Sequence, residues 1–386
     1  MNNIKVGKTA MRLCEIALFA GVAVTCISCL FGRAVFDFFN TLSSVTACVC
    51  LVPIVAVFWK DIIKNKLAVG AIALFAVFSV VSSLFISGLY ISHSLTAIIG
   101  IVTIYVMNFL PVKRDVQMAL ILFLSIMSVC LLFLAIDFSQ KTLVEKYNYT
   151  NSNVMGIVAL MVNSYLMTLI NVNKISGKFV HLNIFIAIFA FMTITVFGCR
   201  SAQLGFLVFL IVGFLIPRNF WGKKRTVAVI ALAMFVGIVF PFIYLKMSQK
   251  GLDDIHFPLV DKPWFSGRDV LWQEGVDRIS ARPSSLIFGA GQRFFDMAKD
   301  YNYHNSYFSI LLNFGIPSFL FYYFSFFTSA KRTLLSGEDK NARALQLALI
   351  LMIMVVSLVE TTIPATTFIW LYGLCFIPLK CREIRS

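Results

Sequence analysis

Apolar runs long enough for a membrane-spanning helix alternate with short polar segments along almost the whole chain. A helix needs roughly 20 predominantly apolar residues to cross a hydrocarbon core of about 30 Å. The runs of this length lie near residues 13–31, 41–59, 67–88, 91–110, 116–136, 154–171, 179–197, 201–217, 226–245, 304–328, 344–360 and 364–379. The pattern predicts an all-α polytopic membrane protein with about twelve transmembrane helices.

A long polar segment interrupts this alternation and divides the chain into three parts. Residues 1–246 hold nine predicted transmembrane helices, and residues 304–386 hold the last three. Between them, residues 247–303 form a predicted large extracytoplasmic loop with short helices. Because this loop is the main water-exposed part of the predicted fold, we expect the chemistry to take place there.

Composition and charge distribution exclude a soluble protein. Hydrophobic residues make up 59% of the chain, charged residues 13%, and the mean hydropathy is +0.87. A net charge of +15 could indicate nucleic-acid binding. With the N-terminus inside, however, the cytoplasmic segments hold 21 of the 33 basic residues and 6 of the 18 acidic ones. This is the positive-inside pattern, so we predict both termini in the cytoplasm and no nucleic-acid partner.

The nine cysteines predict neither a disulfide framework nor a metal site. Most of them fall inside apolar runs, where cysteine is a typical small packing residue. Cys199 is the one near the predicted outer face. Because Cys and His residues do not show metal-ligand spacing, the sequence predicts no metal and no other cofactor.

An arginine stands at the predicted start of the eighth transmembrane helix, in the segment GCRSAQLGF. Ser201 is a candidate N-cap, and Arg200 beside it opposes the helix macrodipole, so it does not serve to stabilise the helix. Arg200 and the unpaired N–H groups of a helix start would together form a good anion site. The alternative, an arginine that extends its charge to the membrane interface, stays open.

The polar loop contains a second arginine in the first turn of a predicted helix. Ser266 is the candidate N-cap of this helix, and Asp269 completes a variant capping box. Arg268 lies on the same stripe as the apolar residues Trp272, Val276 and Ile279. Pro283 is expected to end the helix. A cation in the first turn repeats the unfavourable arrangement of Arg200.

The segment FGAGQRFF follows, with Gly289 and Gly291 in front of Arg293. The two glycines permit a tight turn. A GxG pattern also occurs in phosphate-binding loops, but on its own it is weak support for one. Both interpretations stay open.

His304 opens the tenth predicted transmembrane helix, in YHNSYFSILLNFGIPSF. Pro317 lacks an N–H group, so we expect a kink that frees the carbonyl of Asn313. A histidine at the outer end of this helix could be a general base near neutral pH or simply an interfacial cap. Glu360 ends the eleventh helix and is a candidate partner for an arginine, because acids at that depth are costly unless paired or wet.

Three arginines on one predicted face of the membrane, with a histidine nearby, suit a metal-independent pyrophosphate site. Guanidinium groups bind phosphate oxygens bidentately and keep their charge, so they would stabilise a leaving pyrophosphate. The candidate ligands of pyrophosphate or glycan are Arg200, Arg268, Arg293, Asp269, Asn305 and Glu360. His304 could take the proton from an attacking hydroxyl, and Asp269 or Glu360 could do so instead.

At these residues the chain resembles the superfamily of Wzy-type polysaccharide (O-antigen or capsule) polymerases and O-antigen ligases of bacterial envelopes. Three segments carry the resemblance: GCRSAQLGF, WFSGRDVLW with the downstream PSSLIFGAGQ, and YHNSYFSILLNFGIPSF. Together they cover about a fifth of the chain, and their order and spacing are fairly specific. The position after GIP, where the family usually has glycine, holds Ser318.

The resemblance implies a GT-C-like inverting glycosyltransferase of the bacterial cytoplasmic membrane. Such enzymes use an undecaprenyl-pyrophosphate-linked glycan on the outer side and pass it to a second glycan (polymerase) or to lipid A-core (ligase). By the resemblance, Arg200, Arg268 and His304 are the catalytic residues, whereas Arg293 matches less securely. The SGR…W stretch followed by GxG and HN favours the polymerase. A chain-length regulator, a flippase and membrane lipids are the implied partners.

Twelve helices with both ends inside are also typical of a secondary transporter or a lipid-linked-oligosaccharide flippase. Transporters place ionisable residues near the bilayer midplane and often show internal repeats. Here the predicted helix centres are almost free of charge, and no repeat is visible. We therefore rank transport below glycosyl transfer.

Overall fold

A computed structural model describes residues 7–28, 30, 33–86, 91–140, 152–175, 180–250, 268–291, 303–336, 339–362 and 368–379. These ranges are mainly helical and contain no strand. The helices are α1 (Lys8–Ser28), α2 (Arg33–Ile62), α3 (Lys66–Phe85), α4 (Ile91–Met107), α5 (Arg114–Gln140), α6 (Ser152–Val172), α7 (Val180–Val196), α8 (Arg200–Leu210), α9 (Lys223–Ser248), α10 (Arg268–Ser280), α11 (Pro283–Phe288), α12 (Ser306–Leu335), α13 (Lys340–Val356) and α14 (Ile369–Leu374). A π-helical turn, Ile211–Leu215, extends α8, and a 3-10 turn, Arg218–Phe220, precedes α9.

Each predicted apolar run overlaps one of these helices, although the last run, 364–379, contains only the six-residue α14 among its described residues. Within the described ranges, six helices are long and apolar enough to cross a membrane, namely α1, α3, α5, α6, α9 and α12. The apolar helices α4, α7 and α8 are shorter. Over its described residues the chain is thus a helical membrane protein, and the number of twelve crossings stays a prediction.

The C-terminal helices pack into the middle of the bundle and not beside it. α12 lies mainly against α3, and α13 lies mainly against α8. Both α6 and α13 are buried along nearly their whole length. The three-part division therefore follows the order of the chain, while helices from its first and last parts share one hydrophobic core. As a division into domains it stays a prediction.

Two short helices, α10 and α11, occupy the described part of the predicted loop. α10 ends at Ser280, and Pro283 is the first residue of α11, so the proline follows the end of the helix as predicted. Proline is favoured at a first helical position because its missing N–H would have no partner there. Ser266, the candidate N-cap, lies outside the described residues.

The predicted kink in α12 is present, but its centre is Gly315 and not Pro317. Gly315 has φ 79° and ψ 178°, which interrupts the helix two residues before the proline. The carbonyl of Leu312, whose helical partner lies beyond the break, accepts hydrogen bonds from Ala290 N at 2.6 Å and Gly291 N at 3.3 Å. The kink thus bonds to the loop through Leu312, one residue before the carbonyl expected from the sequence.

The glycines of FGAG make the turn that packs on this kink. Gly289 has φ 86° and Gly291 has φ 73°, a region that residues with a Cβ rarely adopt. A Cβ on Gly289 would collide with the backbone of Asn313, and one on Gly315 would collide with the carbonyl of Ile287. Two backbones meet here at a distance that only glycine allows. The structure therefore supports the turn interpretation of GxG, whereas Arg293 lies outside the described residues.

Candidate functional site

Polar residues from four distant segments meet at one end of the bundle. Arg200 begins α8, Arg268 begins α10, His304 precedes α12, and Glu360 follows α13. We call this end the arginine end. The structure thus brings together four of the residues that the sequence selected as site candidates.

The carboxylate of Glu360 is the centre of this group. Its Oε1 accepts hydrogen bonds from Arg268 Nη2 at 2.8 Å and from Asn153 Nδ2 at 3.1 Å. Its Oε2 lies 3.1 Å from His304 Nδ1. Glu360 is only 7% exposed, and a buried carboxylate is tolerated only with partners of this kind. The expected ion pair between Glu360 and an arginine is therefore present.

Arg200 is the first residue of α8, and the N-cap is Cys199, whose backbone is extended. The prediction that Ser201 is the N-cap was wrong. Gly198, with φ 65°, reverses the chain after α7, and the helix then starts earlier than the serine. Ser201 Oγ lies 3.3 Å from Cys199 Sγ instead. No side chain caps this helix start.

Arg200 interacts electrostatically with the other charges of the arginine end. It is half-buried and experiences repulsion from Arg268 and attraction from Glu360, with Tyr244 also in range. Arg268 thus contacts the carboxylate directly, and Arg200 lies close enough to feel the charges of both. An arginine that merely reaches the membrane interface would not be placed beside a second cation, so this arrangement favours the anion-site interpretation of Arg200.

Asp269 lies beside Arg268 and ties the start of α10 to the end of α9. Its Oδ2 accepts a hydrogen bond from Ser248 Oγ at 2.8 Å. An acid in the first turn also stabilises the helix dipole, which offsets part of the unfavourable effect of Arg268. This contact gives Asp269 a role in placing the arginine, and its predicted role as a ligand or base stays a prediction.

Trp272 docks α10 onto the rest of the site. It is fully buried, and its Nε1 donates to the carbonyl of Tyr303 at 2.6 Å. Its ring packs against Tyr244, with centroids 4.7 Å apart, and against Phe308 at 5.6 Å. Since Arg268 lies one turn before Trp272 and His304 follows Tyr303, this one side chain fixes the spacing between arginine and histidine.

Burial and a hydrogen bond of its hydroxyl group fix the position of Tyr303. Burial raises the pKa of Tyr303 to about 12, so its hydroxyl stays protonated and donates to the carbonyl of Gly291 at 2.9 Å. Arg278 in α10 donates to the neighbouring carbonyl of Ala290 at 3.0 Å. The loop, its glycine turn and the residue before His304 thus form one connected unit.

His304 lies before α12 and not within it, which corrects the predicted helix start. Asn305 is the N-cap, and its Oδ1 accepts a hydrogen bond from Phe308 N at 2.8 Å. The Nδ2 of Asn305 donates to the carbonyl of Leu358 at 2.6 Å. Both ends of this fully buried amide bind the protein, which gives Asn305 a positioning role, and its predicted role as a substrate ligand stays a prediction.

The backbone around His304 is constrained as well. His304 has φ 49°, in the left-handed region that is uncommon for residues other than glycine. The next helix start is bound to the end of α13, since Ser306 N donates to Ser357 O at 2.9 Å and Ser306 Oγ donates to Glu360 O at 3.1 Å. Strained backbone of this kind costs about 1–3 kcal/mol and is concentrated at functional sites.

No group of three or more His, Cys, Asp or Glu side chains in the described ranges has an arrangement that could hold a metal ion. The cationic atoms that the structure does place at the arginine end belong to Arg200 and Arg268. Their guanidinium groups are suited to an oxyanion ligand.

Comparison with known families gives a match over residues 185–323, to the Wzy_C model, described as O-antigen ligase. Over these residues the chain is similar to the O-antigen ligase family. This agrees with the resemblance found in the sequence to the superfamily of Wzy polymerases and O-antigen ligases. A search of curated proteins found no match.

The O-antigen ligase match runs from α7 into the second half of α12. It includes Arg200, Arg268 and His304, but Asn153 and Glu360 lie outside it. Asn153 of α6 and Glu360, which follows α13, therefore join this cluster from outside the matched residues and bond to each other at 3.1 Å.

Sequence reasoning missed Asn153, Trp272 and Ser306 as parts of the site. Asn153 ends the polar stretch 137–153, and nothing local in the sequence distinguishes it from its neighbours. Trp272 had been placed on the apolar stripe of α10, where Trp272 and Ile279 are indeed buried. Its hydrogen bond to Tyr303 depends on a tertiary contact that the stripe does not show.

Proposed function

We propose that this membrane protein is an inverting glycosyltransferase that moves a glycan off a polyprenyl-pyrophosphate donor at the arginine end. The observation that carries the proposal is the meeting of Arg200, Arg268 and His304 around the buried carboxylate of Glu360. The family match supports a glycan-transferring membrane enzyme.

The two arginines suit the leaving group. A guanidinium group presents several N–H donors in one plane and remains charged at every physiological pH. When the bond between the sugar and the pyrophosphate breaks, negative charge develops on the phosphate oxygens, and fixed cations in a partly buried site stabilise it strongly. Arg200 and Arg268 supply that charge.

His304 suits the incoming hydroxyl group. The carboxylate of Glu360 at Nδ1 favours the tautomer with its proton on that nitrogen, which puts the lone pair on Nε2. Nε2 then accepts the proton of the acceptor hydroxyl as its oxygen forms the new bond to the anomeric carbon. The carbon–oxygen bond to pyrophosphate breaks on the opposite face, so the configuration inverts.

The distribution of basic residues supports an extracytoplasmic site. With the N-terminus in the cytoplasm, α8, α10 and α12 begin on the outer side, and the excess of Lys and Arg lies on the inner side. We propose accordingly that the protein lies in the bacterial cytoplasmic membrane with both termini inside. Tags that placed the region around Arg268 in the cytosol would contradict this proposal, because the donor head group would then be out of reach.

Within this reaction class we propose polymerisation of undecaprenyl-pyrophosphate-linked repeat units into O-antigen, capsule or exopolysaccharide. The order of SGR…W, GxG and HN supports it. The description of the matched family favours a second candidate, transfer of the finished glycan to lipid A-core by an O-antigen ligase. A GT-C-like fold and a chain-length regulator and flippase as partners belong to the same proposal.

Two experiments test the proposal. Purified protein in detergent, given lipid-linked repeat units, should lengthen or transfer the glycan without a second compartment, whereas a flippase would leave the glycan unchanged. A deletion strain then separates the two transferases. Lipid A-core bearing a single repeat indicates a polymerase, and long undecaprenyl-linked chains that never reach lipid A-core indicate a ligase.

A further inference from the structure

We propose that Glu360 competes with the donor for Arg268, and that the donor pyrophosphate displaces it and leaves it bound to His304. This inference rests on the proposed function and adds a coupling between donor binding and the base. The same carboxylate now contacts both groups, with Oε1 at 2.8 Å from Arg268 Nη2 and Oε2 at 3.1 Å from His304 Nδ1.

A carboxylate and a phosphate are interchangeable partners for a guanidinium group. Both offer oxygens with negative charge at the spacing of the guanidinium donors. Since Glu360 binds a nitrogen of Arg268 that would also hold a phosphate oxygen, both anions cannot occupy that donor with normal geometry. Donor binding at Arg268 therefore requires that Glu360 release it.

The charge at the arginine end favours that exchange. Arg200 lies within range of the like charge of Arg268, and the carboxylate of Glu360 contacts Arg268 directly. A pyrophosphate brings more negative charge than a carboxylate and can span two guanidinium groups. In a partly buried site, this added attraction outweighs the single contact that is lost.

Glu360 also keeps partners after it releases Arg268. Asn153 Nδ2 donates to Oε1, and His304 Nδ1 contacts Oε2, so the carboxylate stays hydrogen-bonded. Its backbone is fixed at both sides, because Glu360 N donates to Val356 O at 3.0 Å and Ser306 Oγ donates to Glu360 O at 3.1 Å. The exchange therefore needs only a rotation of the side chain and no movement of α13.

If the donor replaces Glu360 at Arg268, the carboxylate of Glu360 should weaken donor binding but speed turnover. While Glu360 shares its charge with Arg268, it stabilises a protonated His304 less than it would alone. After the donor has taken Arg268, the full carboxylate charge is available to the imidazolium that forms during proton transfer. Glu360 is thus a positioning residue for His304 and, at the same time, a cost to donor affinity.

Glu360→Gln tests this inference with the purified full-length protein. The amide cannot compete as an anion for Arg268, so undecaprenyl pyrophosphate should bind about 5- to 10-fold more tightly. The amide cannot stabilise an imidazolium either, so kcat for lipid-linked repeat units should fall about 10²-fold. A lower KM together with a lower kcat is a combination that loss of structure would not produce.

Asn153→Ala is the matched control, because it removes a neutral partner from the same Oε1 and leaves the charges unchanged. The affinity of Asn153→Ala for the donor should not rise.

Equal or weaker donor binding by Glu360→Gln would overturn the inference. If that variant does not accumulate, Glu360→Asp withdraws the carboxylate by one methylene and should also tighten binding; equal or weaker binding by Glu360→Asp would overturn the inference. Failure of the unaltered protein to bind undecaprenyl pyrophosphate would instead contradict the proposed function.

Discussion

The two ends of the helical bundle bury arginine in opposite ways. At the arginine end, Arg200 and Arg268 are first residues of helices, and Arg268 binds a carboxylate. At the other end, which we call the Arg343 end, a buried arginine binds carbonyl groups. Arg343 Nε donates to Leu334 O at 3.0 Å, in the last turns of α12, and Nη1 donates to Trp221 O at 3.2 Å.

The difference separates a structural arginine from a ligand-binding one. Carbonyls at the end of a helix need donors and carry partial negative charge, so a cation there stabilises the fold. N–H groups at the start of a helix carry partial positive charge, and a cation there destabilises it by about 0.3–1 kcal/mol. Arg343 also lies in the first turn of its own helix, α13, so the helix position alone does not separate the two ends. The partners do: Arg268 binds a carboxylate, which another anion can replace, whereas Arg343 binds backbone carbonyl groups.

The largest difference in transfer activity is expected when an arginine at each end is replaced by lysine. Arg268→Lys should lower transfer activity by about 10³-fold, because one ammonium group cannot reproduce the planar, bidentate contacts of a guanidinium group to pyrophosphate. The protein should still accumulate in the membrane. Activity per folded molecule, measured on purified protein with lipid-linked repeat units, checks the prediction.

Arg343→Lys is the control from the other end. It loses one or both carbonyl contacts and should cost about 1–3 kcal/mol of stability, with little change in activity per folded molecule. Wild-type activity in Arg268→Lys, or a collapse of activity in folded Arg343→Lys, would remove the distinction between the two ends.

The next largest loss of kcat is expected from replacing His304 at the arginine end. His304→Ala should leave the affinity for undecaprenyl pyrophosphate largely intact and lower kcat by about 10²-fold, since the arginines bind the donor and the imidazole accepts the proton. Binding and single-turnover measurements on the same preparation check this. If donor binding disappears, His304 is a ligand and not the base.

Much of this arrangement could be predicted from the sequence, because membrane helices need only long apolar runs. The motifs around Arg200, Arg268 and His304 also indicated one site before any contact was known. These features are local, so the order of residues is sufficient to detect them. The family match covers the same three residues.

The rest depends on packing between segments that are distant in the chain. The bond between Asn153 and Glu360 joins residues 207 positions apart, and no periodicity indicates such a pair. The start of α12 was placed two residues early because the apolar pattern does not show that Asn305 binds the carbonyl of Leu358. Similarly, the positive φ of Gly198 shifted the cap of α8 from Ser201 to Cys199.

A smaller loss of kcat is expected when Trp272, which sets the distance between Arg268 and His304, is changed. Trp272→Phe keeps an aromatic ring in the cluster but removes the N–H bond to Tyr303 O. We expect a loss of about 1 kcal/mol of stability and roughly a 10-fold lower kcat, because His304 is no longer held at one distance from Arg268.

Trp370→Phe is its matched control. Trp370 is also fully buried, but it packs in α14 against Gly21 of α1. Its Nε1 makes no hydrogen bond to the described residues, so Trp370→Phe changes the ring volume alone and should leave kcat unchanged. Equal kcat values for the two variants would mean that Trp272 contributes only to packing.

The smallest effect on transfer activity is expected from an ion pair at the Arg343 end. Lys113 Nζ lies 3.4 Å from Glu15 Oε1, and the lysine side chain is 49% exposed whereas the glutamate is 8% exposed. Lys113→Ala removes this partner from the buried Glu15 carboxylate, so it should cost about 1–3 kcal/mol of stability but leave kcat and KM unchanged. Thermal unfolding and transfer assays on purified protein check both values. A change in KM would show that charges at the Arg343 end reach the donor site, and the two ends would then not be independent.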